Sequence, residues 1–254
     1  MIFILGGNGF VGSAFVRWCE EQQRPYVNIT RDNYKDYVGQ RCDVFVNANG
    51  NSKKFLAAKE PMSDFALSVE SVRRSLEDFH YGVYVYLSSC DVYPDCSTSD
   101  ANSEDTVIDV RQQSPYGFHK YLAEQCVRHR AEKWLILRMG GFVGPNLKKN
   151  PIYDILHGGP LWVDPESELQ FLPTDEMPRI VTRILEAGRT NETFNTCGRG
   201  VVKLSDVMKR SGRHVNVVEE AARVRYEVNV SKLSRIFDIP ESSASVQNYI
   251  TMYK

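Results

Sequence analysis

The chain opens Met1-Ile2-Phe3-Ile4-Leu5 and runs directly into Gly6-Gly7-Asn8-Gly9-Phe10-Val11-Gly12. A short apolar run without alternation, bounded by glycines, reads as a strand buried on both faces. From Phe10 to Glu21 the period becomes helical, with Val11, Phe15 and Trp18 on one face. Glycines at 6, 9 and 12, between that strand and that helix, restrict the fold more than any other feature. Gly6 lets the chain turn tightly. Gly9 removes a side chain where backbone would meet a pyrophosphate. Gly12 lets the helix pack close to the sheet. The helix start adds free N–H groups and a partial positive charge. Alone, a glycine motif is weak; the strand before it and the helix after it supply the context. The turn predicts a bound dinucleotide, with Gly6, Gly9, Phe10, Val11 and Gly12 as candidate contacts.

The rhythm continues along the first half. Tyr-Val-Asn-Ile (26–29), Asp-Val-Phe-Val-Asn (43–47), Val-Tyr-Val-Tyr-Leu (83–87) and Trp-Leu-Ile-Leu-Arg (134–138) read as strands. Residues 65–79 carry Val69, Val72 and Leu76 at helical spacing, and 115–129 read as a helix with Ser114 as cap and Pro115 in its first turn. Strand and helix alternating in this way predict an α/β fold, a Rossmann-type doubly wound parallel sheet built from right-handed crossovers. Past Gly144-Pro145 the pattern loosens. A helix at 175–187, a strand at 193–196 and small helices near 204–211 and 231–237 are the expected pieces. Residues 1–145 are expected to form the NAD(P)-binding core, with 174–197 returning to it. Residues 146–173 and 198–254 are expected to form a small C-terminal substrate lobe. The polar stretch 95–114 reads as a surface loop.

Composition excludes several classes. Of 254 residues, 42% are hydrophobic and 25% charged, as in ordinary globular proteins. The net charge of −1 argues against a nucleic-acid partner, which demands a basic face. No apolar run reaches 18 residues, so no membrane span is expected. The first residues lack the pattern of a secretory leader. Six cysteines stand apart, with no C-x-x-C and no paired Cys/His cluster, so no metal is expected and the thiols read as reduced, in a cytoplasmic protein.

The end of the second strand reads Ile29-Thr30-Arg31-Asp32-Asn33. An acidic residue at its tip would hold the ribose hydroxyls of NAD, and a nearby Arg accepts the 2′-phosphate of NADP. Thr30 takes the acidic position and Arg31 follows, which favours NADP, with NAD as the alternative. Read alone, Arg31 is a solvated charge. Asn47 and Ala48, at the end of the third strand, complete the cofactor-binding candidates. Tyr116 and Lys120 sit four apart on the helix behind Pro115. With 13 Tyr in the chain, about one such pair arises by accident, so the spacing carries weight only beside other motifs.

Together these stretches resemble the extended short-chain dehydrogenases/reductases, the NAD-dependent epimerase/dehydratase family. Tyr86-Leu-Ser-Ser-Cys-Asp-Val-Tyr93 resembles the family strand that ends in a hydroxyl residue before Val-Tyr. Tyr116-Gly-Phe-His-Lys120 is similar to its Y-G-x-S-K, and Leu137-Arg138 through Gly144-Pro145 to its L-R-x-x-x-V-Y-G-P. Phe171–Met177, Phe194–Gly198 and Val230–Leu233 resemble later landmarks. The resemblance covers nearly the whole chain. It implies catalysis by Ser89, Tyr116 and Lys120, with Ser88 the weaker choice of hydroxyl. Tyr116 would exchange a proton with a substrate oxygen that Ser89 orients. Lys120 would lower the phenol pKa and hold the nicotinamide ribose, so both Tyr116 and Lys120 are also cofactor contacts. The implied substrate is a small molecule, a secondary alcohol or ketone of a sugar, expected to be nucleotide-linked. A homodimer through 63–79 and 115–129 is implied as well.

Departures from the family pattern matter. Ser68 stands where the family often has Asn, which puts a proton-relay role there in doubt. Gly141 replaces an Asn near the substrate diphosphate, which weakens the sugar-nucleotide reading. Cys90 and Asp91 replace the Asp-Glu pair of dehydratases, so dehydration is disfavoured. The short link between the second and third strands resembles NADP-using reductases of this branch. His119 reads as packing or solvent-facing, and Arg179, Arg199 and Arg213 as unranked diphosphate clamps. Two rivals stand: a reductase of a non-nucleotide carbonyl compound, and a non-enzymatic NAD(P)-binding sensor or scaffold.

Overall fold

Each early apolar run forms a strand. The structure is a computed structural model that describes residues 1–252. Strands β1 (Ile2–Leu5), β2 (Tyr26–Ile29), β3 (Arg41–Asn47), β4 (His80–Ser89) and β5 (Trp134–Met139) pair in parallel. A sixth strand, Glu192–Thr196, extends the sheet beside β5. From the other edge the order is β2, β1, β3, β4, β5, Glu192–Thr196. The chain therefore moves outward from β1 to β2, then crosses back to β3 and continues the other way. In open α/β sheets the ligand crevice lies at the carboxyl ends of the strands where that reversal occurs. Here those ends are Leu5-Gly6 and Asn47-Ala48.

Parallel strands must be covered on both faces. On one face Val72, Leu76, Ala123 and Val127, from two helices, join Phe3, Phe45, Tyr84, Tyr86 and Ile136 in a continuous core. Phe45 stacks on Tyr84, with centroids 5.2 Å apart and planes 10° from parallel. The helix Pro115–Arg130 is started by Ser114, whose Oγ accepts from Gly117 N at 3.1 Å, with Pro115 in the first turn. The segment expected as one helix over 65–79 is more broken. It runs as Pro61–Phe65, a π turn at Ala66–Glu70, and Ser71–Asp78. A π turn widens the helix by one residue, and here the adjacent Ser68 and Val69 are both buried.

A buried ion pair ties the Pro115–Arg130 helix to the sheet. Arg138 Nε and Nη2 donate to Glu124 at 3.0 and 2.8 Å, and Arg138 Nη1 donates to the Tyr93 hydroxyl at 2.9 Å. Ser88 Oγ donates to Glu124 Oε1 at 2.7 Å. Burial alone would pull the Arg138 pKa down; Glu124 outweighs it and holds the guanidinium charged at any accessible pH.

Contacts divide the chain into two compact units. The first comprises residues 1–94, 107–139 and 177–194; the second 95–106, 140–176 and 195–254. Residues 95–106 thus fall in the second unit, where Asn102 is fully buried. Its Nδ2 donates to the carbonyls of Thr98 and Glu227, and its Oδ1 accepts from Asn229 N. The second unit also holds three small sheets and two helices the sequence reading did not place, Pro151–His157 and Ser242–Met252. No helix among the described residues is long and apolar enough to cross a membrane.

Candidate active site

The glycine turn lies where the strand order reverses. Gly6 adopts φ +86°, a conformation open to glycine, and a Cβ on it would press against the backbone of Ala48 and Asn49 at 3.1 Å. A Cβ on Gly12 would run into the carbonyl oxygen of Gly6. Gly9 N donates back to Gly6 O at 2.9 Å and closes the turn. The helix starts at Gly12, with no side-chain cap and no acidic residue in its first turn. Ser13 N and Ala14 N donate to Gly9 O and Val11 O, and the glycine cradle with the helix dipole behind it fits the pyrophosphate of a dinucleotide.

A cavity of about 690 Å³ opens beside the turn. Gly6 and Asn8 line it, with Thr30, Arg31 and Asp32 from the loop after β2. Asn33 shapes that loop: its Oδ1 accepts from Thr30 N at 2.7 Å and its Nδ2 donates to Asn28 O at 3.0 Å. Arg31 lines the cavity wall. Lys35, Glu70 and Arg74 complete the charged lining. The sequence reading missed these, because Glu70 and Arg74 come from a helix some forty residues later, and only folding brings them opposite Arg31. Among the candidates at the end of β3, Asn47 is buried and its Nδ2 donates to the Tyr84 hydroxyl at 2.7 Å. Its Oδ1 accepts from Asn49 N at 3.0 Å. The Asn47 side chain thus belongs to the core, Ala48 backs Gly6, and Asn49 takes the place on the cavity wall.

Ser89, Tyr116 and Lys120 converge. Ser89 ends β4, and its Oγ donates to Asp91 Oδ2 at 2.9 Å and accepts from Asp91 N at 3.2 Å. Ser89 also acts on the Tyr116 phenol, drawing its pKa down. Ser88 instead serves the buried Glu124. The helix carrying Tyr116 comes so close that a Cβ on Gly117 would collide with Asp91 O. Tyr116 and Lys120 are both buried. Lys120 Nζ stands 5.9 Å from the centre of the Tyr116 ring and 5.5 Å from that of Tyr86.

The electrostatics differ from the expectation of a phenol drawn down by its lysine. Burial first, then Asp91, push the Tyr116 pKa up; Ser89 pulls against them, and Asp64 adds to the rise. Burial pulls Lys120 down to about 8, against the opposing pull of Asp64, Asp91 and Glu124. Asp91 is paired with Lys54 Nζ at 2.7 Å. His119, read from sequence as packing or solvent-facing, is buried and bonded to Asp64. A side chain at position 141 has no room: a Cβ on Gly141 would lie 2.5 Å from Gln170 O and 3.0 Å from the Phe171 ring. Arg199 is engaged by Glu241 at 2.6 Å. Among the described residues no cluster of His, Cys, Asp or Glu is placed to hold a metal.

Known proteins share this architecture. The structure of MoeE5 in complex with UDP-glucose and NAD superposes with a TM-score of 0.83 at 16% identity, over 98% of this chain and 97% of that one. A UDP-galactose 4-epimerase gives 0.77 at 17% identity, over 98% and 97%. The dTDP-4-dehydrorhamnose reductase of Bacillus anthracis in complex with NADP gives 0.78 at 13% identity, over 100% and 99%. At such identities the likeness shows the fold. No curated protein matches the chain. Residues 2–197 match the model of the NAD dependent epimerase/dehydratase family. The chain belongs to the NAD-dependent epimerase/dehydratase family, whose members are NAD(P)-dependent enzymes.

Proposed function

We propose that the protein is an NAD(P)-dependent oxidoreductase or epimerase acting on a secondary alcohol or ketone of a sugar, nucleotide-linked, with Ser89, Tyr116 and Lys120 as its catalytic residues. The observation that carries this reading is the meeting of a buried phenol, a serine hydroxyl and a buried ammonium in the unit that holds the dinucleotide turn. A bound nicotinamide dinucleotide supplies hydride transfer. The Gly6–Gly12 turn and the helix start hold its phosphates. Tyr116 exchanges a proton with the substrate oxygen, and Ser89 orients that oxygen. Ser89 gives up its bond to Asp91 to do so. Lys120 supplies the positive charge that stabilises the phenolate as it forms. Structures with this fold hold UDP-glucose, UDP-glucuronic acid and the 4-deoxy-4-fluoro analogue of UDP-glucuronic acid, which supports a nucleotide sugar. The packed Gly141 leaves no amide there for a diphosphate, and this favours, as a second reading, reduction of a carbonyl compound without a nucleotide. A homodimer through the helices of 61–78 and 115–130 belongs to the same proposal.

NADP is the proposed cofactor, because Arg31 and Lys35 line the cavity beside the turn, where Arg74 is already paired with Glu70 at 2.7 Å. Arg31→Ala is expected to weaken NADPH binding roughly tenfold or more, the loss of a charge-assisted phosphate bond. NADH binding should change little. Titration of both nucleotides by fluorescence checks this, and equal losses for the two would remove Arg31 from the 2′-phosphate. Release of nicotinamide from denatured protein tests the wider reading. NAD recovered near one per chain favours an internally recycling epimerase and ends the NADP proposal. An empty protein that prefers NADPH favours a reductase, with UDP- and dTDP-linked hexoses and their 4-keto forms as the first substrates to try. A protein that holds neither nucleotide before or after reconstitution would sink the proposal.

A further inference from the structure

A buried polar cluster beside the Tyr116 helix lies outside the set read from the sequence. Asp64 is fully buried. Its Oδ2 lies 2.6 Å from His119 Nδ1. Its Oδ1 accepts from Asn51 Nδ2 at 2.7 Å and from Ser68 Oγ at 3.2 Å. Three groups from three chain segments therefore converge on one carboxylate. A buried carboxylate is costly unless its lone pairs are engaged and a counter-charge stands near. His119 is held in place by edge-to-face contact with Phe65 at 5.6 Å and by Phe118 at 5.9 Å.

The cluster sits next to a buried cation. Lys120 follows His119 in the chain, and its Nζ lies 3.2 Å from where a Cβ on Gly50 would stand, one residue before Asn51. Three carboxylates act on Lys120: Asp64, Asp91 and Glu124. The phenols of Tyr116 and Tyr86 complete its surroundings. Two of the carboxylates are already matched by cations. Glu124 has Arg138 and Arg128, and Asp91 has Lys54. Asp64 is bonded by an amide, a hydroxyl and an imidazole nitrogen, and among the three it is the one with no Lys or Arg bound to it.

We propose that Asp64 is the counter-charge of Lys120 and that His119 is the positioning residue that fixes Asp64, so that this pair governs the catalytic lysine without touching substrate. The inference rests on the Tyr116–Lys120 chemistry proposed above for its consequence in catalysis. The arrangement itself can be tested without that chemistry. It also gives a reason for Ser68. A shorter side chain than Asn leaves room for a hydroxyl that serves the Asp64 carboxylate.

The test is a pH titration of lysine labelled with ¹³C at Cε, followed by NMR on protein free of cofactor and substrate, with Lys120 assigned by its loss in Lys120→Arg. In the unaltered protein Lys120 should titrate near 8. In Asp64→Asn the midpoint should fall by about one pH unit or more, since an opposite charge has been removed from a buried ammonium. In His119→Ala, which removes a partner of Asp64, it should fall as well, and His119→Gln, whose amide can still donate to Asp64, should restore it towards the unaltered value. An unchanged midpoint in Asp64→Asn overturns the proposal, and an unchanged midpoint in His119→Ala overturns the part given to His119. Should Asp64→Asn fail to fold, Asp64→Ala is titrated in its place, where a fall supports the proposal and an unchanged midpoint overturns it. Because no substrate or cofactor is present, this result can fail while the loss of turnover in Tyr116→Phe stands, and the reverse.

Discussion

Tyr116→Phe is expected to lower turnover by roughly a hundred- to ten-thousandfold, the range for removing a positioned acid–base group. The change deletes one oxygen from a buried ring and leaves the ring's packing intact. Folding should survive, so the thermal midpoint should stay within a few degrees. Dinucleotide affinity should also survive, because the contacts proposed for that ligand lie in the glycine turn and the charged cavity beside it. The phenol is held protonated by burial and by Asp91. It is therefore set to give a proton to a carbonyl oxygen before it takes one from a hydroxyl. Single-turnover measurements with reduced and oxidised cofactor should show the loss in both directions, since the same oxygen serves both. Turnover within threefold of the unaltered enzyme would move the proton to another group. Asp91, bonded to Ser89 at 2.9 Å, would then be the first to examine.

Arg138→Met is expected to destabilise the fold by about 3–5 kcal/mol, because it strands the Glu124 charge in the interior. Glu124 is fully buried, and Arg138 is only 2% exposed. With the guanidinium gone, Ser88 remains as a hydrogen-bond donor, and Arg128, 3.4 Å away and partly exposed, is the nearest cation. For a chain of this size the loss corresponds to a fall in thermal midpoint of roughly 6–20 °C. The double change Arg138→Met with Glu124→Leu should recover much of it, since apolar pairs of similar volume often replace buried ion pairs at little cost. Denaturant unfolding of the three proteins checks this. A single variant within 1 kcal/mol of the unaltered protein would mean that water or Arg128 already serves Glu124. The same bridge matters for the site. It anchors the helix that carries Tyr116 and Lys120 to β4 and β5, and Ser88 on β4 is the neighbour of Ser89.

Much of the first unit was legible residue by residue. The strands β1 to β5 are runs of apolar residues with no competing pattern, and a parallel sheet buried on both faces selects for such runs. Gly6 stands at a positive φ, and a Cβ on Gly12 would meet the Gly6 carbonyl rather than the sheet, so the spacing marked both positions and the structure supplied the reason for Gly12. The second unit was less legible. Asn150 caps Pro151–His157 through Tyr153 N at 2.9 Å, and Gly158 closes it at φ +70°. Those signals were present, but the helix is short and set among turn residues. Ser242–Met252 is rich in serine and polar residues, and its place is set by contacts rather than propensity. Ser242 Oγ donates to Gly200 O at 2.7 Å and accepts from Phe171 N at 3.1 Å.

What the sequence determined by itself is local: a buried strand that must turn at Gly6, a helix that must start near Gly12, and a tyrosine and a lysine one helical turn apart. Backbone sterics and helical period act over a few residues, so a few residues suffice to read them. Tertiary structure alone decided which charges face which. Asn47, a cofactor candidate by position, turns its amide to Tyr84 and Ser75 in the core. Arg74 reaches the cavity wall that Arg31 occupies. Asp64, fifty-five residues from His119, becomes its partner and acts on Lys120. Electrostatic interaction depends on distance and burial in space, and strengthens as water is excluded. A chain of letters carries neither quantity until it folds.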